Sequence, residues 1–174
     1  IRPIFLKGTG NLLAGIYDDI AERMVGDIDF IFSKIDFPKA ITLLKEFGYY
    51  KEIHQELPYY RHYPRIIRKD SIAAVEIHKD LLSEKYVNEF NYNFVVKDSQ
   101  VINGTTVLSY ANKLNLSIIA NQINDNGFYY KTMSLRNAYD VFLLSKKTSA
   151  KTAVNTLDKL NHPLNCFLAA CYEV

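Results

Sequence analysis

The chain has 174 residues, 48% apolar and 23% charged, with a net charge of +2. This balance excludes global disorder and supports a folded domain with a sizeable core, while the charge is too small to argue for a nucleic-acid partner by itself. No stretch reaches the roughly 18 apolar residues of a membrane span, and the opening residues are not built like a signal peptide. Cys166 and Cys171 match no metal or redox spacing. They read as buried free thiols in an apolar run, which favours a reducing, cytoplasmic setting.

Pro3 to Leu6 reads as a short strand that runs into the turn Lys7-Gly8-Thr9-Gly10. Leu12, Leu13, Ile16 and Ile20 then recur at helical spacing, with Gly15 as a weak point. Asp27-Ile28-Asp29-Phe30-Ile31-Phe32 is a strand. Its period of two sets Ile28, Phe30 and Phe32 on one face and Asp27, Asp29 and Ile31 on the other. Asp36 and Pro38 open a helix striped by Ala40, Ile41, Leu44 and Phe47 and stopped by Gly48.

Tyr49 to His54 and Tyr59 to Arg68 read as extended. Asp70-Ser71 turns the second of these into a strand from Ile72 to His78. Residues 79–107 read as loop-rich, with extended pieces at Phe94-Val95-Val96 and Val101-Ile102 and a turn at Asn103-Gly104. From Leu108 onward the pattern is helical. One helix carries Leu114, Ile118, Ile119 and Ile123, and a second carries Leu135, Ala138, Tyr139, Phe142 and Leu143. Two more follow, divided at His162-Pro163. The expected architecture is α+β, a small mixed sheet with flanking helices over residues 1–107, followed by a helical bundle over 108–174 that closes a cleft.

Asp27 and Asp29 carry the chemistry. Two carboxylates at i and i+2 on a strand face the same way, and such proximity is unfavourable unless a cation neutralises them. Aspartate is also a poor strand former, so keeping two of them against local propensity marks a working site. Glu76 and His78 share one face of their strand, with Val75 and Ile77 on the other. If that strand lies beside the first, Asp27, Asp29 and Glu76 converge, and three acids suit two magnesium or manganese ions. A packed histidine is the plainer reading of His78, and His54, His62 and His162 show no ligand spacing. Lys7-Gly8-Thr9-Gly10 presents backbone N–H groups as an anion-binding turn would, yet matches neither the Walker loop nor the dinucleotide fingerprint. The basic and aromatic residues from Tyr59 to Lys69, among them Arg61, Arg65 and Arg68, read first as a charged edge strand. Lys146, Lys147 and Lys151 read as a solvated connection.

Leu6-Lys7-Gly8, then Arg23-x-x-Gly26-Asp27-Ile28-Asp29, then Val75-Glu76-Ile77-His78 resembles an uncharacterised bacterial nucleotidyltransferase family within the DNA polymerase beta superfamily. The resemblance covers residues 4–82 well. It reaches the helical half only through Leu135-Arg136-x-x-x-Asp140. It implies transfer of a nucleoside monophosphate from a nucleoside triphosphate, such as ATP, to an acceptor hydroxyl with release of pyrophosphate. In that reading Asp27, Asp29 and Glu76 are the catalytic and metal-binding acids, with Glu76 at the hydroxyl. Gly8 and Thr9 contact the triphosphate, and Lys7 and Arg23 are cations near its phosphates. The acceptor stays open among small molecules, tRNA and proteins, with the helix of Arg136 and Asp140 as a wall of its cleft. Two rival readings are a catalytically silent nucleotide-binding or toxin–antitoxin module on this fold, and a metal-dependent Asp-x-Asp glycosyltransferase.

Overall fold

The computed structural model describes residues 1–52 and 61–173. The fold is α+β, with a mixed sheet of seven strands in the order β3-β4-β5-β2-β1-β7-β6. The strands are β1 (Ile4–Phe5), β2 (Asp27–Ile31), β3 (Tyr50–Lys51), β4 (Ile66–Ile67), β5 (Ala74–His78), β6 (Gln100–Ile102) and β7 (Thr105–Val107). The pairs β2–β5 and β1–β7 are parallel and the remainder antiparallel. All strands therefore lie between Ile4 and Val107, and the described residues beyond Val107 are helical or connecting. The hairpin β6–β7 turns at Asn103 and Gly104, both at positive φ (49° and 77°), as an Asn-Gly turn of the primed type requires.

Several elements differ from the sequence expectation, each for a local reason. Helix α1 spans Lys7–Leu13, earlier than the apolar spacing suggests. Gly15 adopts φ +63° and ends it: Gly15 N–H bonds Leu12 C=O and Ile16 N–H bonds Asn11 C=O, the paired bonds of a Schellman stop. Ile16 then leaves the helix and packs into the core, while Ile20 is 81% exposed. Helix α2 (Phe37–Glu46) runs as expected to Gly48, at φ +83°, although Phe47 stays exposed. Phe94–Val96 is helical: Asn91 accepts the Phe94 N–H and opens α3 (Tyr92–Val95). His162-Pro163 lies inside the first turn of α8 (Asn161–Glu173), where a proline costs no hydrogen bond, so the division falls before Asn161. Cys166 is exposed and Cys171 half-buried, so the expected burial of both thiols is not met.

The sheet divides two apolar clusters. On one face Phe30, Phe32, Val75 and Ile77 pack with Phe37 and Ala40 of α2. On the other, Ile4, Leu6 and Ile31 join Leu114, Ile118 and Ile119 of α4 (Tyr110–Ile119), Val141 and Leu144 of α6 (Leu135–Ser145), and Val154 of α7 (Ala150–Val154). Helices α4, α6 and α7 are each opened by a serine, Ser109, Ser134 and Ser149, whose hydroxyl accepts the N–H three residues on. The acidic face of β2 is thus the one the helical half covers. A short π-helical stretch, Ala120–Asn124, extends α4, and α5 (Gly127–Tyr130) follows it. No helix among the described residues is long and apolar enough to cross a membrane.

Lys113 on α4 is 3% exposed and donates from Nζ to the Leu108 carbonyl at 2.6 Å. Burial without a paired carboxylate lowers its pKa from 10.5 to about 7. Between those values the unfolded chain keeps a proton that the folded chain has lost, so stability rises with pH there. Relative to Lys113→Met, the wild type should gain about 2 kcal/mol between pH 7 and pH 9. Urea unfolding at the two pH values checks this.

Candidate active site

Parallel pairing of β2 with β5 sets Asp29 opposite Glu76 and Ile31 opposite His78. With a period of two, Asp29, Glu76 and His78 then share the face toward the helical half. One ligand atom from each of these three lies within 4.8 Å of the others, so the three could hold a metal ion. His78 Nε2 is 2.9 Å from Asp29 Oδ1 and 3.7 Å from Glu76 Oε2. Lys7 Nζ sits 2.5 Å from the same Asp29 oxygen and 3.5 Å from Glu76 Oε2. The adjacent His78 ring and the charge of Lys7 hold the Glu76 carboxyl well below the usual range, against its burial. His78 is 1% exposed and its Nδ1 has no hydrogen-bond partner among the described residues. With its proton on Nε2 the ring orients Asp29; with Nε2 bare it is a third donor to a cation.

The donor set suits a divalent cation, two carboxylates and an imidazole converging on one point. Asp27 does not belong to this cluster. Its Oδ1 lies 2.6 Å from Arg65 Nη2, and Arg65 also reaches Glu52 at 3.4 Å. The expected convergence of Asp27, Asp29 and Glu76 is therefore met by the last two, with His78 in the third place. The reason lies in its partners: Arg65 engages the Asp27 carboxylate, and Asp27 stands opposite Ala74, which offers no ligand.

The turn after β1 is shaped by close approach. A Cβ at Gly10 would lie 2.6 Å from the Phe5 carbonyl oxygen, and one at Gly8 would meet Val25 at 2.9 Å and the Arg23 guanidinium at 3.3 Å. Lys7 takes φ +47°, a conformation costly for a side-chain-bearing residue and tolerated where a site demands it. The Thr9 hydroxyl donates to the Asp27 carbonyl at 3.2 Å. Arg23 is fixed beside Gly8 from across the molecule. Its Nε and Nη2 reach Asp140 of α6 at 3.2 and 3.3 Å. Tyr17 donates to the same carboxylate at 2.7 Å and accepts from Asn11 at 3.2 Å. Burial, then the bond to anionic Asp140, pushes the Tyr17 phenol up. Asp140 pairs with Arg23 rather than with Arg136, its neighbour one turn away.

Where Lys7 meets the helical half lies a cavity of about 140 Å³, lined by Lys7, Arg23, Arg61, Asp125, Arg136 and Asp140 among others. Burial lowers the Arg61 pKa, opposed by the charges of Asp125, Glu76 and Asp29. The edge strand expected around Arg61 and Arg65 is not met. The sheet order places β4 inside, with β3 outside it, and Arg65 turns onto Asp27. His62 bridges His78 in the sheet, the rings 5.1 Å apart, although its spacing had marked it as unassigned. The basic–aromatic alternation was the available signal for these residues. Tyr59 and Tyr60 of that segment, and His54, lie outside the described residues.

Removing Asp140 strands a buried phenol and leaves a partly buried guanidinium without its carboxylate. Asp140→Ala should cost about 3–5 kcal/mol of stability, and Tyr17→Phe about 1 kcal/mol, by urea unfolding.

No curated protein matches the chain. A solved structure of an H. pylori protein assigned as a nucleotidyltransferase is similar at 15% identity and a TM-score of 0.39, covering 99% of this chain and 87% of that one. The family model described as "Uncharacterised nucleotidyltransferase" matches residues 1–173. The chain belongs to that nucleotidyltransferase family.

Proposed function

We propose that this protein transfers a nucleoside monophosphate from a nucleoside triphosphate to an acceptor hydroxyl, releasing pyrophosphate, with a divalent cation at Asp29, Glu76 and His78. Family membership supports the reaction class, and the observation that carries the site is the facing pair Asp29 and Glu76, held on one sheet face with a buried imidazole beside them. In this reading residues 1–107 are the catalytic core and 108–174 the region that closes the cleft. Magnesium or manganese would supply charge neutralisation for the phosphates and for the attacking oxygen.

The chain's own residues then have separable tasks. Asp29 and Glu76 would hold the cation through their carboxylates. The depressed proton affinity of Glu76 favours a ligand that orients the acceptor hydroxyl over a strong base. Asp27 has to exchange Arg65 for a second ion if two are bound, which makes Arg65 its gatekeeper. Lys7 lies on the oxygens a cation would take. Its ammonium would turn to the triphosphate when displaced, joined by the backbone of Gly8 and the hydroxyl of Thr9. Arg23, fixed by Asp140, adds positive charge beside that turn. Catalysis of this kind is alignment and electrostatic stabilisation of an in-line displacement.

Magnesium should strengthen binding of a nucleoside triphosphate, and Asp29→Asn should remove most of that dependence, with Asp27→Asn weakening it. Calorimetry with and without magnesium tests this, circular dichroism confirming the fold. Equal triphosphate affinity with and without metal in the wild type would overturn the proposal.

A further inference from the structure

Helix α6 has an outer face that the site does not use. Asn137, Asp140 and Leu144 point into the molecule and are buried. On the opposite face Leu135, Tyr139 and Phe142 are 68%, 38% and 55% exposed, and the exposed Lys146 continues their line. Large apolar side chains in a row at helical spacing are the pattern of a face that is covered in use. Beside the row a cavity of about 640 Å³ opens between α6, α7 and α8, with Met133, Ala138, Val141, Leu168 and Cys171 in its wall.

The row carries opposite charges at its two ends. Tyr139 and Phe142 stack, their ring centroids 6.4 Å apart. The Tyr139 hydroxyl donates to the exposed Glu22 carboxylate, and the charge of Asp18 also reaches that phenol. At the other end the Lys146 ammonium lies 4.2 Å from the Phe142 ring centroid.

Positions 135, 139, 142 and 146 are spaced by four, three and four residues, so the row reads the same in both directions. A second α6 laid antiparallel, about an axis between Tyr139 and Phe142, sets Tyr139 against Phe142. It also sets Leu135 against the aliphatic stem of Lys146. The same rotation brings Lys146 of one copy to the Glu22 end of the other. The two lysines then stand eleven residues apart along the helices, roughly 16 Å, a separation at which salt screens their repulsion. A parallel arrangement sets lysine on lysine and acid on acid. Self-complementarity about a two-fold axis is what an isologous dimer requires.

We propose that this protein forms a two-fold homodimer through the outer face of α6, with Glu22 of each copy paired to Lys146 of the other. The interface lies on the side of α6 away from Asp140, so it does not enter the cavity lined by Lys7 and Arg23.

Sedimentation velocity of the full chain over a concentration series tests this. The wild type dimerises with a micromolar dissociation constant. Phe142→Ala, Glu22→Lys and Lys146→Glu each raise that constant by about tenfold or more, and combining Glu22→Lys with Lys146→Glu recovers most of the loss. Lys97→Glu, at an exposed lysine outside the helical half, leaves it unchanged. The three altered side chains are exposed, so the variants keep the wild-type circular dichroism. A chain that stays monomeric at about 100 μM overturns the dimer. So does a dimer that ignores Phe142→Ala, or a double reversal weaker than both single variants. A monomer whose groove takes up an apolar fluorescent anion such as anilinonaphthalene sulfonate also overturns it, since the groove then serves a small ligand.

Discussion

Parallel pairing of β2 with β5 forces two carboxylates, Asp29 and Glu76, to face each other across one step of a sheet. Like charges that close are tolerated only beside a cation, and the fold supplies one from its own chain in Lys7. Much of the surrounding structure serves that requirement. The tight turn at Gly8 and Gly10 and the left-handed backbone at Lys7 bring the ammonium over the acids. The buried His78 adds a donor from below. The apolar clusters on the two faces of the sheet fix the strands, so the acids cannot separate to relieve their repulsion.

The same logic of compensation extends outward. Asp27 is neutralised by Arg65, Arg23 by Asp140, and Tyr17 and Asn11 complete the hydrogen bonds of that buried pair. Buried pairs of this type add little net stability compared with apolar packing, but removing one member is costly. Their contribution is positional: α6 is tied through Asp140 to the segment that follows α1, and the cavity wall on the helical side is thereby held at a fixed distance from the acids.

Much of this was readable in the sequence, and the misses share a cause. Alternation along β2 and β5 assigned every side chain of both strands to its face, since a period of two depends only on the strand itself. The α+β class followed from the change of pattern after Val107. Three features needed neighbours that periodicity cannot name. The position of β4 inside the sheet, and with it the turn of Arg65 onto Asp27, depends on strand order. The place of His78 beside Asp29 depends on register between strands far apart in sequence. The early end of α1 was decided by one glycine, whose left-handed geometry outweighed the apolar spacing that continues past it.

The tie between Arg23 and Asp140 joins residues 117 apart in the chain, and that between Tyr17 and Asp140 spans 123. β1 likewise needs β7 as its parallel neighbour. Contacts of such separation close late, since long loops must be ordered before any contact rewards them. During synthesis, the strands that bear the acids leave the ribosome well before α6 does. A nascent chain of this protein thus carries its acidic pair without the wall that completes the cavity. The centre matures only when α6 folds back onto the segment after α1, so its assembly is a report that both have folded.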